Sequence, residues 1–474
     1  MRRTKIVCTL GPASDSEEMI ERLLLAGMNV MRLNFSHGTY ESHAQTIERF
    51  RKVRDSLGVP AAVLLDTKGP EIRLGEFKDG SAHIKEGDEF TLTTAKDVKG
   101  SEKEASVSWD GLPKVLHGGE KLLIDDGKIA LRVIKSDGVR VMCRVENGGK
   151  LKNRKSVNVP GVSLPMVYLS EKDKQDILFG IEHKVDFIAA SFVRRAGDVN
   201  VLRKFLNENG GNSIKIISKI ESIEGVENFD DILAVSDGIM VARGDLGVEV
   251  DYRQLPGLQK RFIHSCYSAG KMVITATQML DSMITSPVPT RAEITDVANA
   301  VFDGTSAVML SGESAVGQYP EEAVRALAAI TEQAEKDAIE MGQFKKWKFA
   351  LDASDTTNAI CDAACITAKD LSAAAIVAVT QSGGSARNVS KFRPVTPIIA
   401  ATPEKQTFHQ LALSWGVFPL LTEYQQTSDD LLTHAVNRAV ESGMIMSGDR
   451  VVIVAGIPLA TVGSTNLVKI QIAD

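Results

Sequence analysis

Eight times along the chain a short apolar run, rich in β-branched residues, stops abruptly at polar or charged side chains. The runs lie at 4–12, 28–35, 61–65, 185–192, 214–221, 238–245, 271–277 and 307–310. Apolar runs of this length predict strands buried on both faces, as in a parallel sheet. Between them, the spacing predicts helices over about 40–57, 171–182, 196–209, 254–269 and 320–341. Ser14 with Glu17 makes a capping-box pattern for a helix that runs to Ala26 and is closed by Gly27. Thr290 with Glu293 repeats that pattern for a helix reaching about Phe302. Eight strand–helix units in series predict a TIM (β/α)8 barrel.

The rhythm breaks once. From Glu71 to about Leu169 the pattern becomes short alternating runs, punctuated by Asp79-Gly80, Asp126-Gly127 and Asp137-Gly138 as hairpin turns. An all-β domain inserted after the third strand accounts for this. Gly69-Pro70 leads out and Pro160-Gly161 with Pro165 leads back, restricted connections that suit a hinged lid. Past the barrel, Lys345-Lys346-Trp347-Lys348 and 352–357 read as a linker. A helix near 358–370 and strands near 375–380, 397–401, 417–421, 450–455 and 467–472 then predict a separate α/β unit. The expected fold class is α/β, a TIM barrel with an all-β lid domain inserted after strand 3 and a C-terminal α/β domain. Its expected divisions are 1–69 and 170–344 for the barrel, 70–169 for the β-barrel lid and 345–474 for the last domain.

Composition narrows the partners. The 474 residues carry a net charge of −6 with no long basic block, which argues against nucleic acid or an anionic membrane surface. Five cysteines are scattered, and Cys361 and Cys365 have no His or Cys cluster beside them, so neither a disulfide framework nor a thiolate metal site is expected. The chain opens straight into a strand, and no apolar run approaches the ~18 residues of a membrane helix. A soluble cytoplasmic protein is the expectation.

In a TIM barrel the chemistry sits where strands deliver their carboxyl ends. Those ends carry Arg32, Asn34, Ser36, Asp66, Thr67, Arg73, Lys219, Glu221, Gly244, Asp245, Thr277 and Glu313. Glu221 and Asp245 are hard oxygen donors that suit Mg²⁺. Arg32 offers a planar fork, and Lys219 a point charge, for phosphate. Asn34, Ser36, Asp66 and Thr67 make a weak oxygen field that suits a monovalent cation. Arg243, prominent as it is, reads as a structural residue. Gln381 to Ser385 forms a glycine-rich turn before a helix with Arg387, a candidate anion site.

The runs MRLNFSHG, LLDTKGPEIR, IISKIE, MVARGDLGVE, TATQMLDSM, PTRAEITDVANAV and VMLSGESAVG resemble those of the pyruvate kinase family, in its bacterial type without an extra C-terminal phosphohistidine-like domain. The resemblance covers essentially the whole chain. It implies transfer of the phosphoryl group of phosphoenolpyruvate to ADP, giving pyruvate and ATP, with Mg²⁺ or Mn²⁺ and K⁺. By motif, Arg32 holds the phosphoryl group, Lys219 stabilises it in transit, and Glu221 and Asp245 ligate the divalent metal. Amides near Gly244 and Asp245, with the Thr277 hydroxyl, take the substrate carboxylate, and a water near Thr277 supplies the enolate proton. Asn34, Ser36, Asp66 and Thr67 bind K⁺, while Arg73 and Lys155 approach the nucleotide phosphates. His37 is open to nucleotide contact or to a structural role. Thr380, Ser382, Gly383, Gly384 and Ser385 match the loop that holds a phosphate of an activator, such as fructose 1,6-bisphosphate, ribose 5-phosphate or AMP. The loop 456–466 is expected to close over it. Homotetramers are usual in the family. The second hinge has Ser156 where a glycine commonly follows the lysine, which implies strain there if that position needs a positive φ. The competing reading is a non-catalytic, phosphometabolite-sensing relic of the same fold.

Overall fold

A computed structural model describes residues 1–343, 355–458 and 465–474. Eight parallel strands close on themselves in the order expected of consecutive βα units. They are β1 (Lys5–Thr9), β2 (Val30–Asn34), β3 (Ala62–Asp66) and then, after the insertion, β12 (Phe187–Ala190), β13 (Lys215–Ile220), β14 (Gly238–Ala242), β15 (Met272–Ala276) and β16 (Ala307–Leu310). Closure is made by β1 pairing β16, Lys5 with Ala307 through Cys8 with Leu310. Side chains alternate between two apolar clusters. Val7, Val30, Leu64, Phe187, Ile217, Met240, Ile274 and Met309 fill the interior. Their neighbours, such as Ile6, Met31, Leu65, Ile188 and Ile216, pack outward beneath the helices. Burial on both faces is why these strands read as unbroken apolar runs.

Helix starts follow local capping chemistry. Thr290 and Glu293 form the expected reciprocal box at Arg291–Phe302. The first helix, Glu17–Ala26, corrects the expectation. Its cap is Ser16, whose hydroxyl accepts from the Met19 amide, while Ser14 is buried in the preceding turn and bonds Gly11. Gly27 closes it with φ 123°, as expected of a C-terminal glycine.

Between β3 and β12 lie eight short strands, β4 (Ser81–Ile84), β5 (Glu89–Thr93), β6 (Glu104–Ser106), β7 (Lys121–Ile124), β8 (Ile129–Ser136), β9 (Arg140–Asn147), β10 (Gly149–Lys152) and β11 (Val157–Asn158). They make a six-stranded sheet, β11-β7-β8-β9-β5-β6, and a pair, β10-β4, around an apolar core of their own. At the second hinge Ser156 pairs with Arg73 in an antiparallel bridge and is not among the positive-φ residues. The left-handed residue is Arg154, with φ 57°, so the strain expected at Ser156 falls two residues earlier.

The C-terminal sheet runs in the order β19 (Val417–Leu421), β18 (Ile398–Thr402), β17 (Ala375–Val379), β20 (Arg450–Ala455), β21 (Leu467–Ile472), with β21 antiparallel to its neighbour. This unit docks on the amino-terminal end of the barrel. Leu413 joins the barrel-interior cluster, the Lys5 ammonium donates to the Val417 carbonyl at 2.7 Å, and Gln410 donates to the Ser213 carbonyl at 2.8 Å. The opposite end, where the strands finish, is left to face the β insertion. The expected linker at 345–348 and 352–354 and the central part of the loop at 456–466 lie outside the described residues.

Candidate active site

Strand register decides which side chains meet at the barrel's carboxyl end. Asn34 and Asp66 are direct partners on β2 and β3, and Ser36 and Thr67 follow them at the same rim. Arg32 lies one inward-facing step back on β2. Its Nε donates to Asp66 Oδ2 at 2.7 Å and its Nη1 to Thr9 Oγ1 at 2.7 Å. Lys219 reaches across from β13, and its ammonium lies 3.1 Å from Asp66 Oδ1 and 3.0 Å from Glu221 Oε1. It also donates to Ser191 Oγ at 2.8 Å. One buried carboxylate thus bridges the two cations, and one of those cations reaches a second carboxylate.

Both lysine and carboxylates are almost wholly buried, so their charges are sustained by one another. Burial works against the Lys219 charge, but Asp66 and Glu221 outweigh it and hold the ammonium well above the ordinary lysine range. Asp66 is also penalised by burial, yet Arg32 and Lys219 keep it below the usual carboxylate range. Glu221 goes the other way. Burial raises it, Lys219 only partly offsets that, and Asp245 adds a second upward push. The negative charge of Asp245 thus disfavours a charged Glu221, an effect that a bound cation relieves.

The backbone here is held in unusual shapes. Phe192, Thr277 and Gln278 have φ of 53°, 69° and 54°, in the region that side-chain-bearing residues rarely adopt. For Phe192 the result is an amide that donates to Glu221 Oε2 at 2.6 Å. For Thr277 it is a hydroxyl that accepts from the Gly244 amide at 2.7 Å. Arg243 supports that loop. It donates to the Thr277 carbonyl and to Asp296 Oδ1, both at 2.7 Å, in keeping with a structural reading. Glu313 is buried and accepts from the Ser311 and Leu280 amides, a bracing role at the next strand end.

Arg73 and Lys155 stand side by side at the insertion's hinges, each with an acid. Arg73 pairs Glu71 and Lys155 pairs Asp125, both at 2.6 Å. His37 is exposed on the turn after β2, and its carbonyl is bonded to the His43 ring. In the C-terminal domain Gly383 has φ 81° and its amide donates to Thr380 Oγ1 at 3.0 Å, which shapes the turn. Arg387 donates to the Ser382 carbonyl, and Ser385 bonds Thr465 at 2.9 Å, from the far end of the loop expected to close there.

A family model described as "Pyruvate kinase, barrel domain" matches residues 1–324, and one described as "Pyruvate kinase, alpha/beta domain" matches 358–471. The chain belongs to the pyruvate kinase family. It is 46% identical to the pyruvate kinase of Clostridium acetobutylicum, over the whole of both chains. It is 49% identical to that of Staphylococcus saprophyticus, covering all of this chain and 80% of that protein. In structure it is similar to a pyruvate kinase from Cryptosporidium parvum, with a TM-score of 0.92, 39% identity and coverage of 100% and 96%. Family, relatives and structural neighbour agree on a catalytic pyruvate kinase, and the relic reading falls away.

Three further groups at the site carry no signal of their own in the sequence. Ser191, Thr9 and the Phe192 amide each contact a charged residue already singled out. The available signal was position alone. Thr9 and Ser191 end or follow β1 and β12, the two barrel strands whose ends had no candidate.

Proposed function

We propose that this chain transfers the phosphoryl group of phosphoenolpyruvate to ADP at the carboxyl end of the barrel, under the open face of the β insertion. The observation that carries the reading is the buried Lys219 ammonium, held at about equal distance from Asp66 (3.1 Å) and Glu221 (3.0 Å) beside Arg32. Phosphoryl transfer needs charge neutralisation and in-line placement more than covalent chemistry, and the cations of this cluster support the first of these. Arg32 would bind the phosphoryl group and Lys219 would stabilise it in transit. The Gly244 amide and Thr277 hydroxyl now bonded to each other would turn to the substrate carboxylate. A water beside Thr277 would protonate the enolate.

Glu221 and Asp245 fit a divalent cation, Mg²⁺ or Mn²⁺. Their mutual repulsion favours one, and two protein carboxylates leave the open positions that Mg²⁺ commonly fills with substrate oxygens and water. When bound, such an ion supplies positive charge to substrate oxygens. Asn34, Ser36, Asp66 and Thr67 would hold K⁺, with Asn34 and Asp66 as register partners and Ser36 and Thr67 just beyond them in the chain. Arg73 and Lys155 would exchange their acid partners for nucleotide phosphates, with His37 nearby on the rim.

Activation by a phosphorylated sugar or nucleotide at Thr380, Ser382, Gly383, Gly384 and Ser385 is the regulatory part of the reading. A homotetramer and a cytoplasmic, glycolytic setting complete it. No helix among the described residues is long and apolar enough to cross a membrane. A coupled assay for pyruvate, with phosphoenolpyruvate, ADP, Mg²⁺ and K⁺, tests the activity. Absence of pyruvate, with and without sugar phosphates, overturns it. Ser382→Ala with Ser385→Ala should spare basal turnover and blunt activation, and unchanged activation would move the effector elsewhere.

A further inference from the structure

The two hinge cations ride on one small unit. Arg73 and Ser156 are bridged strand to strand, and Arg73 Nη1 donates to the Arg154 carbonyl at 2.9 Å, so Arg73 and Lys155 move together. Three residues beyond Lys155, on β11, Asn158 Nδ2 donates to Glu249 Oε1 at 3.1 Å. Glu249 ends the helix Arg243–Glu249, which leaves β14 and carries Gly244 and Asp245. Asp245 and Glu249 are four residues apart, one helical turn, and so share a face of that helix.

The setting makes this contact matter. A cavity of about 290 Å³ separates the hinge strands from the barrel, with Asp245, Glu249 and Asn158 on its wall. Two polar ties span that gap, Asn158 to Glu249 and, further along the hinge, Ser163 Oγ to Glu224 Oε2 at 3.2 Å, and the first is the one next to Lys155. Further along the second hinge the chain is fixed differently. Arg194, itself paired with Asp198, donates to the Leu164 and Met166 carbonyls at 2.6 and 3.0 Å. One end of the return segment is therefore anchored to the barrel, and the end next to Lys155 is tied through Glu249. A second approach is at the tip of the β7–β8 hairpin. A Cβ on Gly127 would lie 3.9 Å from Val248 Cγ1, and Gly127 is two residues beyond Asp125, the partner of Lys155.

We propose that Glu249 is a positioning residue for phosphoryl transfer. By accepting from Asn158 it sets Arg73 and Lys155 at a fixed distance from the helix that carries Gly244 and Asp245. The nucleotide half of the site is thereby registered on the substrate half. This rests on the assignment of Arg73 and Lys155 to the nucleotide phosphates.

The test is steady-state kinetics of Glu249→Ala, Glu249→Gln and Asn158→Ala in the full chain, with both substrates varied. A hydrogen bond to a carboxylate of this kind is expected to be worth about tenfold, so KM for ADP should rise about that much in Glu249→Ala and Asn158→Ala. KM for phosphoenolpyruvate should stay within about twofold, because the substrate side keeps its own contacts. Glu249→Gln should restore the ADP value, since its amide oxygen still accepts from Asn158. The double variant should be no worse than either single one. An unchanged ADP KM in Glu249→Ala, in a wild type that turns over, overturns the proposal. So does an equal rise in both KM values, or a loss that Glu249→Gln shares, because either marks a merely structural residue. A wild type that makes no pyruvate overturns the functional reading instead. ADP affinity by calorimetry on the same variants then decides the tie by itself.

Discussion

The two ends of the barrel each bury a lysine, and they treat it in opposite ways. At the carboxyl end, Lys219 lies between Asp66 and Glu221, and its charge is reinforced. At the amino end, Lys5 donates to one carbonyl and lies 4.7 Å from the Phe418 ring centroid. Burial, with Arg2 adding repulsion and Glu335 only partly opposing it, pushes Lys5 down to about 7. The same residue type, nearly equally buried, is kept cationic at one end and brought close to neutral at the other. The difference lies in the neighbours. One end gathers Arg32, Lys219, Asp66 and Glu221 into a buried cluster of paired charges. The other is closed by Leu413 and the C-terminal sheet and asks only for packing.

That contrast predicts effects of different kind and size. On the proposed role of Lys219, a charge used mainly in the transition state, Lys219→Ala should lower kcat by about a thousandfold or more with a modest change in phosphoenolpyruvate KM. Steady-state kinetics check this, and a comparable loss in both terms would refute the role. Leu413→Ala should act at the other end, costing about 2–5 kcal/mol of stability by denaturant titration while leaving kcat of the folded protein near wild type. A kcat loss there would mean that the ends are coupled.

Ser191→Ala removes a neutral partner of Lys219 and leaves the two carboxylates. It should reduce kcat by about tenfold, in line with one hydrogen bond to a charged group. Lys5→Met is expected to have the smallest effect on rate, and its effect should appear in the pH dependence of stability. Folding releases the Lys5 proton between its folded value of about 7 and its ordinary value near 10.5. In that window the unfolded chain binds more protons, so stability rises with pH. The wild type should therefore gain on Lys5→Met as pH rises from 7 toward 10, read as the difference in Tm. A difference that is flat with pH would show that Lys5 stays charged when buried.

Much of this is legible in the sequence. Strands buried on both faces write long apolar runs, and the barrel's chemistry sits where those runs stop, so Lys219, Glu221, Asp66 and Arg32 stood out. Hydroxyl and amide partners did not. Ser191 matters because β12 lies between β3 and β13, which places its end between Thr67 and Lys219. Nothing in its local sequence announces that. The hinge misled for a related reason. A serine in place of the family's usual glycine points to strain at Ser156, but Ser156 pairs with Arg73 and the left-handed residue is Arg154. The capping serine at Ser16, in place of Ser14, is a local error of two residues, decided by which hydroxyl faces the Met19 amide.

Two neighbouring runs, 214–221 and 238–245, show the division most clearly. Their order along the chain, their burial and the charges at their ends follow from residue type and spacing, because hydrophobic periodicity and strand ends are local properties. Which carboxylate Lys219 touches, that Glu221 is pushed up while Asp66 is pulled down, and that Asp245 is linked one helical turn on to the lid through Glu249 belong to the tertiary structure alone. Those outcomes depend on register between strands distant in sequence and on what shares a low-dielectric site, and no single segment carries that information.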